Sequence, residues 1–98
     1  MQPVTVSFQV LPGGLPDKAR VYAAVDAAIA VIAQSGLRHV VGPMETTIEG
    51  DYAHVMATIK EAQDAVIAAG ATNVFTYIKV DYNPNGSTID EKLEQYRP

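Results

Sequence analysis

The chain has no cysteine, no tryptophan and two histidines. Without cysteine there is no disulfide framework, no thiolate zinc site and no cysteine nucleophile. Cationic residues are also scarce: Lys and Arg number seven against eleven Asp and Glu, for a formal net charge of -4. The cations are scattered and build no basic patch, so nucleic acid is not an expected partner. The balance favours a neutral or cationic ligand over a phosphate. Long apolar runs are missing as well. The longest, Val21 to Ala33, is broken by Asp26 and is too short to cross a bilayer, so no membrane partner is expected. Met1-Gln2-Pro3-Val4-Thr5 lacks the charged region and apolar run of a secretory signal, and the expected location is cytoplasmic. No Pro-, Gly- or Ser-rich linker divides the 98 residues, and the expected organisation is one domain, 1–98.

What is present is apolar bulk, 48% of residues against 18% charged. A domain this small has little core to spare, so shelter of its surface by self-association is expected. Val4, Val6, Phe8 and Val10 alternate with Thr5, Ser7, Gln9 and Leu11, the period of a half-buried strand. Pro12-Gly13-Gly14-Leu15-Pro16 is expected to end it. Asp17 is placed to cap a helix whose inward stripe would be Val21, Val25, Ala28, Ile29 and Ile32, with Gly36 as a left-handed stop. Leu37 to Gly42 reads as a second strand and Met44 to Glu49 as a third, with Pro43 at the turn between them. Asp51 caps a second helix with Val55, Ile59, Ala62, Val66 and Ala69 inward, ended by Gly70. Asn73 to Tyr82 is the longest strand. Asn83-Pro84-Asn85-Gly86 is a turn, and Ser87 is the expected N-cap of a short helix running to Tyr96, with Asp90 completing a weak capping box.

The order β-α-β-β-α-β-α predicts an α+β fold: a ferredoxin-like βαββαβ sandwich with an antiparallel sheet, helices on one face and an added C-terminal helix. The other face would carry Thr5, Ser7, Gln9 and Leu11 with Phe75, Tyr77, Lys79 and Asp81. Two readings of Phe75 and Tyr77 stand at this level: contact with a partner, or cover for the C-terminal helix. Lys79 is expected to pair with Asp81, with Glu45 or with an acid of another subunit.

The polar stretch Gly42-Pro43-Met44-Glu45-Thr46-Thr47-Ile48-Glu49-Gly50 stands out in an apolar chain. Its Pro43-Met44, Thr46 and Ile48-Glu49-Gly50, with Val10-x-Pro12, Val74-x-Thr76-x-Ile78-Lys79-Val80-Asp81 and the C-terminal helix, resemble the family of small thiamine-binding proteins. The resemblance covers nearly the whole chain. It implies a ferredoxin-like fold, assembly as a homodimer or homotetramer, and binding of thiamine or a related pyrimidine or thiazole for carriage, buffering or sensing. It implies no catalysis, and thiamine enters as ligand rather than cofactor. The chain departs from the family pattern at Asn73 and Asn83, where members often carry basic residues, and at Glu45, where many carry a small one. An alternative is a regulatory or structural oligomer acting through protein contacts; a third is a small enzyme acting on a pyrimidine or thiazole.

Thiamine combines a cationic thiazolium, an aminopyrimidine and a hydroxyl. Carboxylates suit the cation or the amine, hydroxyls donate and accept, and Met or aromatic side chains offer polarisable surface to flat rings. The expected ligand-binding residues are therefore Met44, Glu45, Thr46, Thr47 and Glu49, with Gln9 adding an amide from the first strand. On a regular strand Met44, Thr46 and Ile48 share one face and Glu45, Thr47 and Glu49 the other, so a bulge near Pro43 would be needed to gather them. Catalytic and metal motifs are not found. Glu45 and Glu49 on one strand would stand about 13 Å apart, too far for a glycosidase pair. Gly13-Gly14 lacks the Lys and Ser/Thr of a phosphate loop, and His39 and His54 match no zinc spacing.

Overall fold

A computed structural model describes residues 3–96. The elements are β1 (Val4–Gly13), α1 (Lys18–Gln34), β2 (Arg38–Val41), β3 (Thr46–Gly50), α2 (Tyr52–Ala68), β4 (Asn73–Asp81) and α3 (Ile89–Leu93), followed by a 3-10 turn at Glu94–Tyr96. The sheet order is β2-β3-β1-β4 with every neighbour antiparallel, the ferredoxin-like arrangement expected from the element order.

Strand alternation sorts the core. Val4, Val6, Phe8 and Val10 of β1 and Ile48 of β3 are buried beneath Ala24, Ala28 and Ile32 of α1 and Val55, Ile59, Ala62 and Val66 of α2. The inward face of α2 is close to the expected stripe, except that Ala69 is its C-cap and exposed. On α1 the face is rotated: Ala24 is fully buried, whereas Val21, Val25 and Ile29 are only partly buried. The apolar residues of α1 run nearly all round it, so periodicity cannot fix which side turns in. Small side chains at Ala24 and Ala28 occupy the buried side, and larger neighbours are left to line its flank.

Two caps form as expected. The Asp17 carboxylate accepts the Arg20 amide at 2.8 Å, and that of Asp51 accepts the His54 amide at 3.3 Å. Gly36 takes a φ of 78° past the end of α1. β1 does not stop at Leu11, however. It pairs with β4 through Pro12 and Gly13, opposite Val74 and Asn73. β3 reaches no further along β1 than Phe8, so the proline lies where β1 has one strand neighbour instead of two.

The C-terminal segment crosses the sheet face away from α1 and α2. Thr88, not Ser87, is the N-cap of α3, accepting the Glu91 amide at 3.2 Å. Ser87 is buried and serves as an anchor: its hydroxyl lies 2.9 Å from both Thr5 Oγ1 and Asp81 Oδ2, and its amide donates to the Pro3 carbonyl. Arg38 pairs with Asp90 at 2.5 Å and Lys92 with Asp81. α3 therefore roofs the end of the face near Thr5 and Glu49. Phe75 and Tyr77 remain 58% exposed each, so they are not its cover.

The Lys92 ammonium, and then the Ser87 hydroxyl, hold Asp81 below the ordinary Asp value of 3.8. A carboxyl with a lowered folded pKa contributes stability above its unfolded pKa and loses it as pH falls through the folded value. The Lys92 side-chain resonance should therefore follow an acid transition whose midpoint lies below 3.8. Asp81→Asn should abolish that acid transition; a transition that persists in the variant would assign it to another group.

Candidate functional site

The site begins with a turn. The Gly42 amide donates to the Glu45 carbonyl at 2.9 Å and closes the β2–β3 hairpin. A Cβ on Gly42 would lie 2.8 Å from that carbonyl oxygen, so the close approach requires glycine. Met44 and Glu45 consequently belong to the turn, not to the strand expected from Met44 to Glu49, and Met44 is 77% exposed. Pro43 lies in the turn as expected, and from Thr46 to Gly50 the ladder is regular, so no bulge rotates the strand to gather both of its faces. From Thr46 onward the expected alternation holds: Thr46 and Ile48 face the helices and are buried, while Thr47 and Glu49 face away from them.

β3 ends opposite Phe8, and β1 continues past it under α1. The space between the free edge of β1, the flank of α1 and the turn is a cleft of about 280 Å³, near the lower end of small-ligand pockets. It gathers Gln9, Met44, Glu45 and Thr46, within walls that include Val21, Val25 and Ile29 of α1. Thr47 and Glu49 are elsewhere. The Thr47 hydroxyl lies 3.2 Å from that of Ser7 on the sheet's other face. Glu49 accepts the Ile89 amide at 2.7 Å and lies 3.8 Å from Arg38 Nε, so it holds α3 in place. Sequence reasoning missed the contribution of α1 to the cleft, including Tyr22. The only available signal was the breadth of the apolar band on α1, which exceeds what one buried face needs.

Glu45 lines the cleft, and its carboxylate also meets the sheet's other face. Its Oε1 accepts from Lys79 Nζ at 2.8 Å, the Lys79 side chain being 72% exposed. Lys79 lies opposite Ser7, and Ser7 opposite Thr47, so the turn is tied across β1 to β4. The Lys79 hydrogen bond, and then that from Ser7, outweigh partial desolvation and hold Glu45 below its ordinary value of 4.5. The carboxylate is charged at neutral pH. Next along β4, the Phe75 and Tyr77 rings sit 5.2 Å apart. His39 Nδ1 lies 3.0 Å from the Leu37 carbonyl, and no group of three metal-ligating side chains occurs among the described residues. What the cleft offers chemically is apolar walls for flat rings, a carboxylate at the rim and the Thr46 hydroxyl beside it; Gln9 lines it from β1, with its side chain on the sheet face it shares with Ser7 and Leu11.

In Lys79→Met the Glu45 carboxyl should titrate higher, toward 4.5, read from its side-chain carboxyl resonance. Stability supplied by the pair is present above that value and lost as pH falls through the lowered one, so the variant should lose it already at neutral pH. An unchanged Glu45 titration would show that the tie does not form in solution.

Comparison with known proteins places the chain in a group. A family model described as thiamine-binding protein matches residues 6–97. A UPF0045 protein of Clostridium perfringens is 39% identical over 97 residues, covering 99% of this chain and 100% of the relative. One from Mycobacterium bovis is 44% identical over 82 residues, covering 83% of this chain and 78% of the relative. Among solved structures, a domain of unknown function from Bacillus cereus superposes with a TM-score of 0.92 at 48% identity, over 98% of this chain and 91% of that one. A Thermotoga maritima protein provisionally assigned to thiamine biosynthesis or salvage superposes with a TM-score of 0.86 at 34% identity, over 97% of this chain and 99% of that one.

Proposed function

The chain belongs to the thiamine-binding protein family, and we propose that it binds thiamine, without transforming it, in the cleft between α1, β1 and the Gly42–Glu45 turn. The observation that carries this reading is the position of Glu45 at the rim of a largely apolar cleft. The thiazolium or the pyrimidine amine meets the carboxylate, and the rings lie against Met44 and the α1 flank, whose surfaces suit flat, polarisable groups. Among the described residues Glu45 is the one charged side chain lining the cleft. General acid–base work wants a second positioned group near the reacting atom, so carriage, buffering or sensing fits the site better than turnover.

The same reading includes self-association as a homodimer or homotetramer. β4 is an edge strand, and it exposes apolar side chains on both faces: Phe75 and Tyr77 on one, Ile78 and Val80 on the other. Edge strands of this kind pair or are covered. That patch also favours a second reading, in which the oligomer works mainly through contacts with other proteins.

Calorimetric titration with thiamine should show saturable binding, and Glu45→Gln should weaken it about tenfold, the effect of removing one charge-assisted contact. Its melting temperature should stay close to that of the native protein, because Glu45 lies in a turn outside the core. No heat at millimolar thiamine would exclude the binding reading and leave the protein-contact one. Sedimentation at micromolar concentration should give a mass above the 10.5 kDa of one chain; a mass at that value would exclude self-association.

A further inference from the structure

The cleft has a wall that no side chain supplies. The Gly42–Glu45 hydrogen bond sets the phase of the β2–β3 ladder. In an antiparallel pair, hydrogen-bonded and non-bonded residue pairs alternate, so Thr47 and Glu49 turn their backbone groups to β2. Thr46, Ile48 and Gly50 turn theirs to β1, where their partners are Phe8, Val6 and Val4. Even-numbered residues of β1 thus address β3, and odd-numbered ones address β4. Past Phe8 the alternation continues but β3 has ended. The N–H and C=O of Val10 and the C=O of Pro12 therefore face the cleft that both residues line. Pro12 brings no N–H to that side, so the strand continues there without an orphan donor. Val10 is only 8% exposed. Among the described residues, no backbone hydrogen bond outside the strand ladders involves it.

Buried backbone donors and acceptors are nearly always paired, and this pair lies in the wall of a cavity of ligand size. We propose that the Val10 backbone recognises the 4-aminopyrimidine edge of the ligand: its N–H donates to the ring nitrogen beside the amine, and its C=O accepts from the amine. The contact is that of an added β-strand, with a heterocycle supplying one donor and one acceptor. The inference rests on the cleft being the thiamine site and adds the part of the ligand that is read there. It separates the work of two groups: Glu45 answers positive charge, and the β1 edge answers the order of donor and acceptor around the pyrimidine. A 4-oxo pyrimidine held in the same pose sets N–H against N–H and C=O against C=O, and a site built for hydrogen bonds rejects such a mismatch strongly.

The test uses the full chain, nitrogen-15 labelled, titrated with thiamine and with its 4-oxo analogue oxythiamine, and calorimetry on the same samples. At saturation with thiamine the Val10 amide proton should move downfield and its exchange should slow about tenfold or more, as for a newly formed hydrogen bond. The Phe8 amide, already in the ladder, should keep its exchange rate. Oxythiamine should bind about tenfold more weakly or worse. Thiamine binding with the Val10 amide unmoved, or equal affinity for the two compounds, would overturn the edge assignment and leave the proposed function standing. A Val10 amide already protected without ligand would overturn it too, by showing the edge occupied by a second copy of the chain. Absence of thiamine binding by calorimetry would remove both readings together.

Discussion

The hydrogen bond from Gly42 to Glu45 ends β3 at the level of Phe8, while nothing ends β1 before Gly13. The difference in length between two neighbouring strands is the constraint from which the site follows. Had the hairpin closed two residues further out, Glu45 and Met44 would have extended the ladder past Phe8, the β1 edge would have been paired and α1 would have rested on a complete sheet. Because it closes early, α1 overhangs an unfilled corner. The turn's side chains, Met44 and Glu45, are delivered to the corner's rim. Gly42 permits this, since any Cβ there would collide with the carbonyl that closes the turn.

The sheet's two faces carry different work. On the helix side, burial of Val4, Val6, Phe8, Ile48, Val55 and Val66 holds the layers together, and each such side chain contributes about 1.5–3 kcal/mol when fully removed from water. The other face is organised by polar ties. At one end Ser87, Glu49, Arg38 and Asp81 hold the C-terminal segment across it. In the middle a row runs from Thr47 through Ser7 to Lys79 and Glu45. At the far end Phe75 and Tyr77 lie bare. The Lys79–Glu45 tie matters beyond its modest strength as an exposed pair: it connects the rim of the cleft to the strand carrying the exposed aromatic pair. A ligand that draws Glu45 inward has to compete with Lys79, so occupancy of the cleft and the state of the open face share one carboxylate.

Much of this was legible in the residues. The alternation of β1 sorted Val4, Val6, Phe8 and Val10 from Thr5, Ser7, Gln9 and Leu11, and the caps at Asp17 and Asp51 and the stop at Gly36 are local chemistry that needs no distant partner. Met44, Glu45 and Thr46 could be nominated together because their types suit a flat cation and they sit close together in the chain; Gln9 was nominated as an amide from the first strand. Glu49 was nominated on the same grounds, yet it accepts an amide of α3 forty residues away. A glutamate on a strand looks the same in sequence whether it meets a ligand, water or a helix. Ser87 and Thr88 are adjacent residues of similar chemistry, and only the approach of Thr5 and Asp81 decides which is anchor and which is cap.

By itself, then, the order of residues determined the elements, their sequence along the chain, the antiparallel α+β layering and the family, because each depends on short-range periodicity, capping chemistry or motifs read directly. The tertiary structure decided which flank of α1 turns outward, how far β1 outruns β3, where α3 lies and which acid Lys79 meets. Those are contacts between residues far apart in the chain, governed by where backbones run out of partners and by how small and large side chains share the space between layers.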